Sequence, residues 1–376
     1  MMALIGLAGW VAVISACLVL LVISQILHFS WVMGWNDRQT RRLAYYGLSR
    51  PQRQRFKRRL HLHARLLSPL LHCLARGKPF CFADGTFHYH QIAGPKGTCS
   101  QQSFAAATQY APRREDLFVV TQMKSGTTWM QHLVFQILTQ GRGDLAQSGI
   151  CLNAISPWLE SFRTVTVEEA PLVGVEQPQR IIKTHLPSTL CPYRPWARYI
   201  YVIRNPLSCF ASCVDFLRSN LGPFAPSLET CQEWFCTPEL MWFSPWPQHV
   251  SGWWRLAQQA PNVLLVHFED MKDDLEKVAW QVNSWLELPD LSVAAMQAVV
   301  DQCRFETMRR HADLFEMQPP HLLQHASDYF ISGQADRFRD LPAEIRGQLD
   351  AWCRQQLAAE GMDLSCLRLP AVGASK

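Results

Sequence analysis

The stretch Val119-Val120-Thr121-Gln122-Met123-Lys124-Ser125-Gly126-Thr127-Thr128-Trp129 decides the fold of this chain. It runs from a β-branched segment, Leu117–Thr121, through a short polar turn into Thr127–Thr139, whose apolar spacing reads as a helix. A strand, a tight turn and a helix in that order make an anion cradle. Gly126 lets the backbone turn sharply, and the backbone N–H groups and the hydroxyls of Ser125, Thr127 and Thr128 can donate to phosphate oxygens. The positive end of the helix points at the same anion, and Lys124 adds a mobile charge. The order differs from that of a nucleoside-triphosphate loop. GxxxxGK[ST] is missing, because Lys124 precedes the Ser-Gly pair, and no carboxylate stands out as a partner for Mg²⁺. Taken alone, the stretch also fits an ordinary turn closed by a capping Thr.

Outward from the loop the same grammar repeats. Arg180–Thr184, Arg198–Ile203 and Asn262–Phe268 are short runs rich in Val, Ile, Leu or Tyr, as strands buried on both faces should be. Leu207–Arg218, Val250–Gln259, Lys272–Leu288 and Ala343–Ala359 have helical spacing. Alternating strands and helices over residues 111–376 predict an α/β domain of P-loop type, with three layers and a central, mostly parallel sheet. Its ligands should bind at the carboxyl ends of the strands.

Three motifs in this order resemble those of the PAPS-dependent sulfotransferases, and most of all the cytosolic-type enzymes. Gln122-Met123-Lys124-Ser125-Gly126-Thr127-Thr128-Trp129 resembles their phosphosulfate loop, Tyr-Pro-Lys-Ser-Gly-Thr-Thr-Trp, departing at Gln122 and Met123. Lys183-Thr184-His185-Leu186-Pro187 resembles their Lys-Thr-His-Leu-Pro strand end. Tyr199-Ile200-Tyr201-Val202-Ile203-Arg204-Asn205-Pro206, with Ser212 eight residues after Arg204, resembles the segment that holds the donor's 3′-phosphate. The resemblance continues through His267-Phe268-Glu269-Asp270 and Arg304-Phe305-Glu306-Thr307-Met308, where the family shapes its adenine pocket, and covers about residues 112–355. It implies PAPS as co-substrate, PAP as product and no metal. It makes Lys124 the contact to the sulfuryl group, Trp129 the platform for adenine, His185 the general base and Phe305 part of the donor pocket. Near the carboxyl end the family carries Arg-Lys-Gly; here Gly333 is kept, while Ile331-Ser332 replace the basic pair and Arg337 and Arg339 are the nearby cations. The family's dimer signature is absent from the same region.

The residues themselves support that chemistry. An acceptor hydroxyl or amine must lose a proton as it attacks sulfur, and a His with a pKa near ~6.5 suits the task. Sulfuryl transfer depends on positioning and on stabilising charge on the moving and leaving oxygens. Lys124 and Lys183 can supply that charge without a metal, Arg204 can grip a phosphate with two N–H groups, and Ser212 adds a hydroxyl donor. The ordinary alternatives are a structural His185 and an Arg204 held in a surface ion pair. A sulfotransferase and a non-catalytic, membrane-anchored nucleotide- or partner-binding protein with a decayed sulfotransferase fold are the two functions to separate.

The chain's charge is unevenly placed. Its 376 residues carry 36 Lys and Arg against 31 Asp and Glu, a net +5, with 48% hydrophobic residues, which excludes a disordered protein. Residues 1–35 contain none of these charged residues, and the near-continuous apolar run Ala3–Leu27 is long enough to read as a transmembrane anchor. Residues 36–65 then hold ten Lys and Arg against Asp37 alone. By the positive-inside rule this predicts a single-pass membrane protein with its catalytic domain in the cytoplasm, and a basic flank on the membrane, not on nucleic acid. Residues 36–110 are expected to be a basic juxtamembrane and irregular connecting segment, in which 60–74 could lie along the membrane surface. The acceptor is expected to be a small or lipid-like molecule. The 13 Cys show no paired or zinc-like spacing, so neither structural disulfides nor a metal site is expected.

Overall fold

The computed structural model describes residues 2–33, 45–316, 337–362 and 367. The first of these, Met2–Met33, is one helix. It does not bear out the membrane anchor. Among the described residues no helix is long and apolar enough to cross a membrane. The transmembrane helix, the single-pass placement with a cytoplasmic catalytic domain and the membrane as a partner are therefore withdrawn.

The basic segment that follows also has a different use. Arg50–Ala75 is a helix that Pro51 opens at its first turn, where a missing N–H costs nothing. Its Arg50 meets Asp313 through two contacts of 2.8 Å, and its Lys57 reaches Glu316 at 2.6 Å. Arg53 is buried and donates to the carbonyls of Leu48 and Gly149. At least three of the ten basic residues thus face the domain. The stretch after it is more regular than its Gly and Pro content suggested. Two short strands, β1 (Thr86–Tyr89) and β2 (Ile92–Pro95), pair antiparallel, and Ser100 caps the helix Gln101–Thr108.

The main sheet has four parallel strands: β3 (Asp116–Thr121), β4 (Arg180–Thr184), β5 (Arg198–Ile203) and β6 (Val263–His267), in the order β4-β3-β5-β6. These are the four strands expected from sequence, to within a residue or two at the ends. Alternation along the strands builds two cores. Phe118, Val120, Ile182, Tyr199 and Tyr201 face one layer, with the helices Pro206–Leu221, Trp246–Gln259 and Ala343–Ala359. Leu117, Val119, Ile181, Ile200 and Val202 face the other, with Thr127–Leu138, Leu275–Trp285 and Val293–Gln302. The segment read as one helix over Lys272–Leu288 is two, Phe268–Asp273 and Leu275–Trp285, because Asp274 leaves helical geometry and its carboxylate caps the second by accepting from the Lys277 N–H at 2.9 Å.

The strand order fixes where a ligand can sit. The chain leaves β3 toward β4 on one side, then returns to β5 on the other, so a crevice opens between the carboxyl ends of β3 and β5. Lys124 follows β3 and Arg204 follows β5.

Candidate active site

The loop after β3 has the backbone its residues require. Gly126 has φ +97°, a conformation that costs other residues ~1–2 kcal/mol, and a Cβ there would come within 2.6 Å of the Phe268 ring. Lys124 also lies in the left-handed region, at φ +60°, which turns its side chain out of the strand direction. The ammonium rests 4.7 Å from the centre of the Phe216 ring. Ser125 and Thr127 are buried, and the Thr127 hydroxyl bonds that of Thr121, 2.7 Å away. Thr128 and Trp129 are half-buried on the first turn of the helix. The Trp129 indole donates to the Cys303 carbonyl at 2.8 Å and its ring meets Phe268 edge to face.

Arg204 closes the crevice from the β5 side. Its guanidinium donates to the Lys124 carbonyl at 2.7 Å and lies 4.3 Å from the centre of the Phe268 ring, while its Nε is buried without a partner in the protein. Burial pushes its pKa down from the usual arginine value. This is no surface ion pair: Arg204 is 7% exposed. The next residue, Asn205, caps the helix Pro206–Leu221 by accepting from the N–H groups of Leu207 and Ser208. Ser212 is half-buried on that helix. Arg337 meets Asp215 of the same helix at 2.7 Å. Phe305 opens the helix Phe305–Arg310 two residues after the carbonyl that holds Trp129. Gly333 lies outside the described residues.

At the end of β4 stand Lys183 and His185. The His185 Nδ1 lies 2.8 Å from the Thr121 carbonyl oxygen. A carbonyl can only accept, so Nδ1 carries the proton and Nε2 keeps its lone pair. Burial, followed by repulsion from Lys183, holds the imidazole pKa well below its usual range, so the ring is neutral at pH 7. Lys183 sits 4.1 Å from the centre of the Trp158 ring. Burial lowers its pKa to about 8, against the opposing attraction of Glu160, and Lys124 repels it further.

Three residues that sequence reading missed support this corner. Glu160 is fully buried; its carboxylate accepts from the His185 N–H at 2.6 Å and from the Thr184 hydroxyl at 2.8 Å. Nothing in the irregular stretch around it marks it in sequence. His249 donates from Nε2 to the His185 carbonyl at 2.9 Å and accepts at Nδ1 from the Tyr201 hydroxyl at 2.8 Å. Burial drops its pKa to about 4, so it stays neutral. Thr121 links the loop to the imidazole, its carbonyl holding His185 and its hydroxyl holding Thr127.

A general model of the sulfotransferase domain matches residues 114–361. Mouse sulfotransferase 1E1 is 26% identical over 281 residues, covering 72% of this chain and 94% of that one. Rabbit amine sulfotransferase is 33% identical over 202 residues, covering 52% and 64%. Among solved structures, mouse sulfotransferase SULT7A1 complexed with PAP superposes with a TM-score of 0.57 at 20% identity, covering 75% of this chain and 97% of that one. Retinol dehydratase in a complex with retinol and PAP gives 0.59 at 20% identity, covering 73% and 89%. At these identities the structural likeness speaks for the fold.

Proposed function

Because this chain belongs to the sulfotransferase family, we propose that it moves a sulfuryl group from PAPS to a hydroxyl or amine of a small acceptor, with His185 as base. The enzyme is a PAPS-dependent sulfotransferase; the roles of its residues are the proposal. One observation carries them. Lys124, Lys183 and Arg204 converge at the carboxyl ends of three adjacent strands, beside a histidine whose Nδ1–H is committed to the Thr121 carbonyl.

The acceptor O–H or N–H gives its proton to the His185 Nε2 as its heteroatom forms the bond to sulfur. The bond from sulfur to the donor's phosphate oxygen breaks with both electrons on that oxygen, and PAP leaves. Lys124 and Lys183 stabilise the charge that gathers on the moving and leaving oxygens. Arg204, whose Nε has no protein partner, and Ser212 are assigned to the donor's 3′-phosphate. Ser125, Gly126, Thr127 and Thr128 form the loop around the 5′-phosphosulfate, and Trp129 and Phe305 flank the adenine. Gly333 is assigned to the same donor by the resemblance alone.

Thermal denaturation with PAP tests the donor site. Saturation at ~100 times the dissociation constant adds about 2.7 kcal/mol of stability, which raises Tm by several degrees. An unchanged Tm at millimolar PAP would contradict the assignment. The charges also set a pH profile. His185 must be neutral, so the acid limb lies below the usual imidazole range, whereas Lys183 must be charged, so activity falls as pH rises through about 8.

A further inference from the structure

Gln122 stands where the resembling loops carry Tyr, and it is 1% exposed. Its carboxamide Nε2 donates to two carbonyls, that of Trp242 at 3.1 Å and that of Ser244 at 3.0 Å. Between those carbonyls lies Phe243. Both Phe243, at φ +66°, and Ser244, at φ +84°, are in the left-handed region, which neither side chain favours. A turn of this kind persists only when its surroundings hold it. Gln122 holds it on one side; on the other the Phe243 N–H donates to the Ala93 carbonyl of β2 at 2.8 Å. The consequence is local. The Phe243 ring is completely buried, 5.3 Å from the His185 ring and 5.9 Å from Trp158, and it stacks on Phe104.

We propose that Gln122 is a positioning residue for the acceptor side of the site: its carboxamide locks the Phe243–Ser244 turn, and so seats the Phe243 ring against the His185 base. The Gln122 carboxamide donates to the Trp242 and Ser244 carbonyls and not to Arg204 or Trp129, the residues assigned to the donor, so loss of Gln122 should leave the donor site intact. The departure from the family pattern at this position is then a change in how the base is enclosed. The inference rests on the reading of His185 as the base, and two measurements keep the two apart.

The full chain is compared with Gln122→Met, whose unbranched side chain fills similar space without hydrogen bonds, and with Gln122→Met/Ser244→Gly, where glycine relieves one left-handed residue. Amide hydrogen exchange over 240–246 and the rate at which diethylpyrocarbonate modifies His185 report on the turn and on the imidazole's enclosure. PAP affinity reports on the donor site. Gln122→Met should raise both rates about tenfold, with PAP affinity within twofold, and Ser244→Gly should recover at least half of the rise on a logarithmic scale. Unchanged exchange and unchanged His185 reactivity would overturn the proposal. So would an equal loss of PAP affinity, or a rise that Ser244→Gly does not reduce. Should Gln122→Met fail to fold, Phe243→Leu in the native background tests the same contact, and unaltered His185 reactivity there would overturn it. A wild-type chain that does not bind PAP would instead sink the functional reading.

Discussion

Replacing Glu160 separates two tasks that this buried carboxylate performs. Glu160→Ala leaves the His185 N–H and the Thr184 hydroxyl without their acceptor in a fully buried place. Each orphaned group costs ~1–3 kcal/mol, and the emptied volume adds to that, so the variant should lose about 3–5 kcal/mol. That is a large part of the ~5–15 kcal/mol that holds a typical domain. Glu160→Gln keeps one oxygen to accept from the His185 N–H, and its amide can donate to the Thr184 hydroxyl oxygen. It also removes the desolvation cost that raises the carboxylate's pKa, so the net loss should stay under ~1 kcal/mol. Urea unfolding followed by Trp fluorescence measures both values. Activity should respond differently. Glu160 is the strongest influence holding up the Lys183 pKa against burial. In Glu160→Gln the lysine should lose its proton at lower pH, and the alkaline limb of kcat/KM should move down from about 8. An unmoved limb, or a Gln variant as unstable as the Ala variant, would refute this account of the corner.

Gly126→Ala should destabilise by at least ~1–2 kcal/mol from its φ alone, and by more as the new Cβ displaces the Phe268 ring that lies under Arg204. Titration of that variant with PAP should show at least a tenfold loss of affinity, and native affinity would contradict the packing. Arg180→Ala should cost about 3 kcal/mol in urea, because among the described residues it leaves the fully buried Asp116 with the Tyr110 hydroxyl and the Arg113 N–H as the remaining donors to its side chain. A loss under 1 kcal/mol would show that those two donors suffice. Arg204→Lys keeps the charge but not the two-pronged geometry, and should weaken PAP binding about tenfold by calorimetry; an unchanged affinity would remove Arg204 from the donor site.

The strands, the loop and the order of the motifs were legible because each is written in local sequence. Short runs rich in Val, Ile, Leu or Tyr mark β3 to β6, buried along their whole length in β3 and β4 and only in part in β6, and Lys124 to Thr128 carry their own turn chemistry. The candidate corner was only half legible. Lys183 and His185 stand at the end of a strand and can be placed from it, but Glu160, His249 and Gln122 act through contacts that span 24 to 122 positions, and no local pattern announces them. The amino-terminal reading failed for a related reason. An uncharged apolar run and a basic flank look alike whether the cations face a membrane or the domain. Arg50 and Lys57 are held by Asp313 and Glu316, more than 250 positions away, a pairing that composition cannot show.

On the proposed mechanism the cation cradle binds PAP and His185 takes the acceptor's proton. Transfer of labelled sulfur from PAPS to a broad acceptor panel, with PAP affinity measured on the same samples, tests it with His185→Ala. The variant should bind PAP within about threefold of the wild type while transfer falls by at least ~10²-fold, the contribution expected of a positioned base. Transfer by His185→Ala at the wild-type rate would contradict it.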